Sequence, residues 1–157
     1  MKKTIFLLIL ILPLFVSGAS QNFTDNGDGT IKDNVTGLVW QKCSAGQTND
    51  SACSGTEVVK VWKTALSYCE DLVLGGRSDW RLPNIRELLS IVDEFKSNPS
   101  INTVYFPATL SSGYWSSSIY VHYTSDAWCV DFSSGHSFHR QVWLEYQKVR
   151  CVAGGLN

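Results

Sequence analysis

The sequence predicts an α+β domain built on antiparallel sheets, because strand-like segments at both ends enclose two stretches of helical periodicity. Tryptophan-centred phrases, from Thr36-Gly37-Leu38-Val39-Trp40 to Tyr114-Trp115-Ser116-Ser117-Ser118 and closed by a cysteine in Val149-Arg150-Cys151, are scattered along the chain and argue for one compact domain whose ends meet.

The N-terminal elements come first. Asp25-Asn26-Gly27-Asp28-Gly29-Thr30 is a turn-rich opening. Ile31 to Asp33 then pairs across Asn34-Val35-Thr36-Gly37 with Leu38 to Lys42 as a hairpin. Between Val58 and Leu74, apolar residues at Val61, Ala65, Tyr68, Cys69 and Leu72 trace one face of a helix that Gly75-Gly76 should stop. Pro83 suits the first turn of a second helix, whose stripe Ile85, Leu88, Leu89, Val92 and Phe95 predicts burial up to about Lys96. An irregular stretch runs from Asn98 through Pro107.

The C-terminal third reads as a β-meander. Its strands are Tyr114 to Tyr120, Ala127 to Phe132, His136 to Gln141 and Tyr146 to Val152, with Ser133-Ser134-Gly135 as a turn. Alternation places Trp128, Val130 and Phe132 on the expected core face, opposite Ala127, Cys129 and Asp131.

Lys2 and Lys3 precede an unbroken apolar run from Ile5 to Val16 that is too short to span a bilayer, the pattern of a signal peptide. Small residues at Ser17 and Ala19 place cleavage after Ala19, so residues 1–19 are the expected leader and 20–157 a single domain. Nothing after Ser20 is apolar enough to insert in a membrane. The expected location is therefore outside the cytoplasm: secreted, periplasmic or at the cell surface. The chain has 13 basic and 14 acidic residues, two of the basic ones in the leader, and no basic run. That balance argues against nucleic acid as a partner. A basic patch would form only if folding gathered Arg77, Arg81, Arg86, Arg140 and Arg150.

Five cysteines in an exported chain are disulfide candidates. Cys43 and Cys53 bracket a polar loop that a local bridge would order. Cys69 and Cys151 would close a long loop between the first helix and the last strand. Cys129 is then left as a half-buried free thiol, with swapped pairing or an intermolecular bridge as the alternatives. No Cys-x-x-Cys or His-x-x-x-His pair fits a zinc site, so no metal and no cofactor are expected. Gly27 and Gly29 fall where an EF-hand loop places calcium ligands.

Taken together, Asp25 to Thr30, Thr36 to Trp40, Trp62 to Cys69, Leu74 to Asn84, Glu87-Leu88, Tyr114 to Ser117, Trp128 to Phe132 and Val149 to Cys151 resemble the bacterial Lcl C-terminal domain family. The resemblance spans Phe23 to Gly154. It implies a C-type-lectin-like fold, with N- and C-terminal strands paired and two helices flanking the sheets, and it also implies the Cys69–Cys151 bridge. The family's adhesin member binds host glycans and trimerises through a collagen-like stalk; no Gly-x-y repeat occurs in this sequence. Calcium-dependent lectins of similar fold use Glu-Pro-Asn or Gln-Pro-Asp with Trp-Asn-Asp, and here Trp115-Ser116-Ser117 stands at the position most like the last. That triplet lacks carboxylate and amide oxygens.

Enzyme chemistry is not expected. The sequence has no Gly-x-Ser-x-Gly elbow, no His-Glu-x-x-His and no phosphate loop. Glu87 and Asp93 read as a solvated helix face. Trp40, Trp62, Trp80, Trp115 and Trp128 read as core, and Arg81 and Arg150 as structural hydrogen-bonding residues. The candidate ligand residues lie outside the family phrases: Tyr120, His122 and Tyr123 in one loop, then His136, His139, Arg140 and Trp143 near another. Aromatic and polar groups on loops of a rigid sheet suit sugar rings and their hydroxyls. The expectation is a secreted, non-enzymatic, adhesin-like domain that binds a glycan without calcium. The alternative is a protein-interaction or structural module of the envelope.

Overall fold

The computed structural model describes residues 21–155. The signal-peptide expectation for residues 1–19 lies outside the described residues. Among the described residues no helix is long and apolar enough to cross a membrane.

The elements run β1 (Phe23–Asp25), β2 (Thr30–Asp33), β3 (Val39–Gln41), α1 (Trp62–Glu70), β4 (Trp80–Arg81), α2 (Ile85–Ser90), β5 (Gly113–Ile119), β6 (Asp126–Asp131), β7 (His136–Gln141) and β8 (Val152–Ala153). The α+β expectation holds, with two short helices and every strand pairing antiparallel. A five-stranded sheet has the order β1-β2-β3-β8-β4, and a three-stranded sheet the order β5-β6-β7. β8 sits between β3 and β4, with Val152 opposite Trp40 and Ala153 opposite Trp80, so the first and last strands share one sheet.

Several elements differ from the sequence expectation. β1 was not expected; it pairs with β2 across the turn after Asp25, where Asp25 Oδ1 accepts from Gly27 N–H and Asp28 Oδ1 from Thr30. α1 is shorter than 58–74. Lys60 exchanges backbone hydrogen bonds with Gln147 ahead of it, and Gly75 and Gly76 serve a different turn. Both have positive φ, 58° and 69°, and Leu74 and Arg77 bond to each other on either side, the geometry of a two-residue hairpin turn.

α2 ends at Ser90 rather than near Lys96, and Pro83 precedes its cap instead of entering its first turn. Asn84 caps the helix: its side chain accepts from Glu87 N–H, while the Glu87 carboxylate accepts from Asn84 N–H. Leu88 is buried as expected, but Phe95 is 95% exposed, because Val92 leaves the helix to bridge Ile101. Glu87 is not on a solvated face. It accepts two hydrogen bonds from the Arg81 guanidinium at 2.6 and 2.7 Å, and Arg81 also donates to Gly154 O at 2.9 Å. Asp93 lies beyond the helix end, where it accepts from Phe95 N–H beside Lys96.

The final meander strand shrinks to Val152–Ala153 and joins the other sheet, leaving Gln147 and Lys148 as single bridges. The core is packed on both faces of β6. Val130 and Phe132 join Ile31, Trp40, Leu88 and Tyr114, whereas Ala127 and Cys129 join Trp80, Trp115, Cys69 and Cys151. The small side chains at 127 and 129 let that second face be covered. Trp128 shares the parity of Val130 but is only half-buried, and so is Trp62, whose Nε1 donates to Ser116 O at 2.8 Å. Trp40, Trp80 and Trp115 are buried as expected.

Both expected disulfides form, Cys43–Cys53 and Cys69–Cys151, the second within the core cluster. Cys129 is free but fully buried, not half-buried, and burial pushes its thiol pKa up. Arg150 is fully buried: it donates to Ser44 Oγ and Thr109 Oγ1, both at 2.9 Å, and lies 4.8 Å over the Phe106 ring. Burial lowers its pKa, opposed by the nearby Tyr114 and Glu57.

Candidate functional site

The β5–β6 connection and the turn after β7 lie at the same end of the three-stranded sheet. Asp126 is opposite Gln141, and Val142 N–H donates to Ser125 O at 2.9 Å, so the two segments are hydrogen-bonded neighbours. A tight turn, closed by Tyr123 N–H to Tyr120 O and Asp126 N–H to Tyr123 O, projects the residues between.

Four of the seven candidate residues converge here. The half-buried Tyr120 is the hub: the His139 ring stacks on it at 4.1 Å and 8°, and His122 and Tyr123 lie at 5.4 and 5.9 Å. Trp128 meets Tyr120 edge-on at 5.0 Å. That contact explains the half-burial of Trp128, because the core ends where this cluster begins. Tyr120 is thus the support of the cluster, and Tyr123, 62% exposed, is its open ring.

The remaining candidates are placed differently. Trp143 is 66% exposed on the adjacent turn, one residue beyond Val142. Arg140 shares parity with Phe138, over whose ring it lies at 4.8 Å, and so faces away from the His139 ring. His136 is at the other end of β7, opposite Asp131, and does not join the cluster. Nor do the arginines gather into a patch: Arg77 pairs with Asp79, Arg81 with Glu87, and Arg150 is buried.

One polar contact organises the cluster. The Asp126 carboxylate accepts a hydrogen bond from His139 Nδ1 at 2.7 Å, and it also accepts from Ser125 Oγ. Sequence reasoning missed both Asp126 and Trp128. Trp128 lies inside β6 opposite the register shift of β5 between Trp115 and Ile119, and the sequence carries no signal of that irregularity.

Among the described residues, no three His, Cys, Asp or Glu side chains converge as a metal site. Ser116 is buried, and its hydroxyl donates to Trp128 O at 2.8 Å. An open groove of about 310 Å3 lies elsewhere, lined by Thr36, Leu38, Arg86, Glu87, Ser90 and Gly155. None of the candidate residues borders it.

A family model for the Lcl C-terminal domain matches residues 29–153, a span holding both sheets except β1. The chain belongs to the Lcl C-terminal domain family. No curated protein and no solved structure matches it significantly. Within this Lcl C-terminal domain, Trp40, Trp80, Trp115, Arg150 and Cys151 of the family phrases are buried, whereas Tyr120, His122, Tyr123 and Trp143 lie outside those phrases.

Proposed function

We propose that this Lcl C-terminal domain is an exported, non-enzymatic binding module of C-type-lectin-like fold that recognises an extracellular or cell-surface glycan without calcium. The observation that carries the reading is the aromatic cluster itself. Tyr123 stands open beside a His139–Tyr120 stack, with Trp143 on the hydrogen-bonded neighbouring turn. Flat rings of this kind pack against the apolar faces of sugars, while His139 and His122 reach hydroxyls. The lectin-like fold is supported by β8 pairing between β3 and β4 and by a disulfide joining α1 to the chain beside β8. Two disulfides support export. Calcium independence is supported by the engagement of Ser116 inside the fold and of Asp25 with Lys42 at 2.7 Å.

A second reading, protein interaction within the envelope, is favoured by the aliphatic surround. Val121 and Leu144 are exposed beside the aromatic residues on the same two turns. Contiguous apolar surface beyond a few hundred Å2 suits a protein partner better than a sugar.

A glycan array probed with the oxidised domain, with and without chelator, separates these. Glycan binding that persists in chelator and weakens in Tyr123→Ala is the expected result. Binding abolished by chelator removes the calcium-independent mechanism, and a blank array with capture of an envelope protein favours the second reading.

A further inference from the structure

His139 is held on two sides. The Tyr120 ring lies parallel beneath it, and the Asp126 carboxylate, itself largely buried, engages Nδ1 at 2.7 Å. An ionised carboxylate only accepts, so Nδ1 carries the proton. In a neutral imidazole the other nitrogen is then a bare lone pair. Nε2 has no hydrogen-bond partner among the described residues, on a side chain that is 38% exposed.

We propose that Asp126 is a positioning residue that holds His139 in the Nδ1–H form, making Nε2 an acceptor and selecting neutral, hydroxyl-bearing sugars over carboxylated ones. The proposal rests on the glycan reading above. A sugar hydroxyl donates its proton to Nε2 and keeps its oxygen for other donors. A ligand carboxylate would meet that lone pair with its own, close to the negative charge of Asp126. The other charged and titratable groups around the ring do not reverse this. Tyr120 and Tyr123 present ring faces, and His122 packs against the Tyr120 ring at 5.4 Å. Arg140 reaches only the His139 backbone carbonyl, at 3.2 Å, with its guanidinium over Phe138.

Long-range proton–nitrogen correlation spectra of the unliganded 15N-labelled domain at roughly pH 8, where imidazoles are neutral, read the proton position directly. Wild type is expected to show the Nδ1–H form, Asp126→Ala to lose it, and Asp126→Asn to retain it through the amide oxygen. An amide fingerprint checks that each variant is folded. On an array of neutral and carboxylated oligosaccharides at the same pH, neutral hits are expected, weakened about tenfold by Asp126→Ala and restored by Asp126→Asn. An Nε2–H proton in wild type, or a preference for carboxylated glycans, overturns the proposal. So does unchanged binding in Asp126→Ala and His139→Gln when Tyr123→Ala loses binding, an outcome that leaves the glycan reading standing. An array blank at every glycan, with the Nδ1–H form present, overturns the glycan reading and the selectivity with it.

Discussion

The five-stranded sheet and the far end of the three-stranded sheet use the same residue types in opposite ways. Around the first, side chains are enclosed by the fold: Trp40 and Trp80 are buried, Trp80 Nε1 donates to Leu74 O at 3.2 Å, Arg81 is paired with Glu87, and Trp40 Nε1 is buried with no hydrogen-bond partner among the described residues. At the second, Tyr123 and Trp143 expose most of their rings and His139 keeps one nitrogen unengaged. Residue identity therefore does not separate architecture from recognition in this domain. Enclosure by the fold does.

The contrast is sharpest in the disulfides. Replacing Cys69 and Cys151 together by Ser opens a loop of sequence separation 82 and is expected to lower stability by about 4 to 5 kcal/mol in denaturant unfolding. The Cys43, Cys53 pair closes a separation of only 10 and should contribute about 2.5 to 3 kcal/mol. Equal losses would show that the closing sheet holds without its crosslink.

Trp115→Ala is the next largest effect, about 3 to 5 kcal/mol, because the cavity is enclosed on all sides. Trp128→Ala should fall clearly below it, since that ring is half-buried among Tyr120 and His139. A Trp128 cost equal to that of Trp115 would move the aromatic cluster into the core.

Arg81→Ala probes the ion pair that ties β4 to α2, and is expected to cost about 1.5 to 3 kcal/mol near neutral pH. Burial pushes the Glu87 carboxyl up, but Arg81 and the Asn84 N–H outweigh it, leaving its pKa below the ordinary 4.5. A carboxyl lowered in the folded state stabilises above its unfolded pKa and loses that contribution as pH falls through the folded value. The difference between wild type and Arg81→Ala should therefore shrink as pH drops below 4.5. A gap constant from neutral pH into strong acid would mean that the pair does not stabilise through charge.

The smallest stability effect belongs to the exposed rings. Tyr123→Ala and Trp143→Ala should each change stability by no more than about 0.5 kcal/mol, while weakening a true ligand by about 1 to 3 kcal/mol at a hot spot. Thermal melts and binding titrations on the same samples separate the two.

The sequence was most legible where local chemistry and long-range packing agree. The hairpin across Asn34 to Gly37, the strand His136–Gln141 and both disulfides follow from turn residues, alternation and cysteine spacing. It misled where a regular pattern continued past the point at which tertiary contacts intervened. Val92 and Phe95 keep helical spacing with Leu88, yet Val92 bridges Ile101 and Phe95 points to solvent. Gly75-Gly76 reads equally as a helix stop or a hairpin turn, and only the Leu74–Arg77 pairing decides. At the candidate site, the loop aromatics were visible as residues outside the family phrases. The Asp126–His139 contact was not, because the partners are 13 positions apart and meet only once β6 and β7 are in register.

The position of β8 also constrains how this domain comes into being. Val152 and Ala153 fill the gap between β3 and β4, so the five-stranded sheet lacks an inner strand until they have been synthesised. Joining Trp40 to Val152 and Trp80 to Ala153 brings together distant parts of the chain, and such non-local pairing is slow. Until then the edges of β3 and β4 stand open. A nascent chain of this topology cannot complete its five-stranded sheet until its last strand has been synthesised.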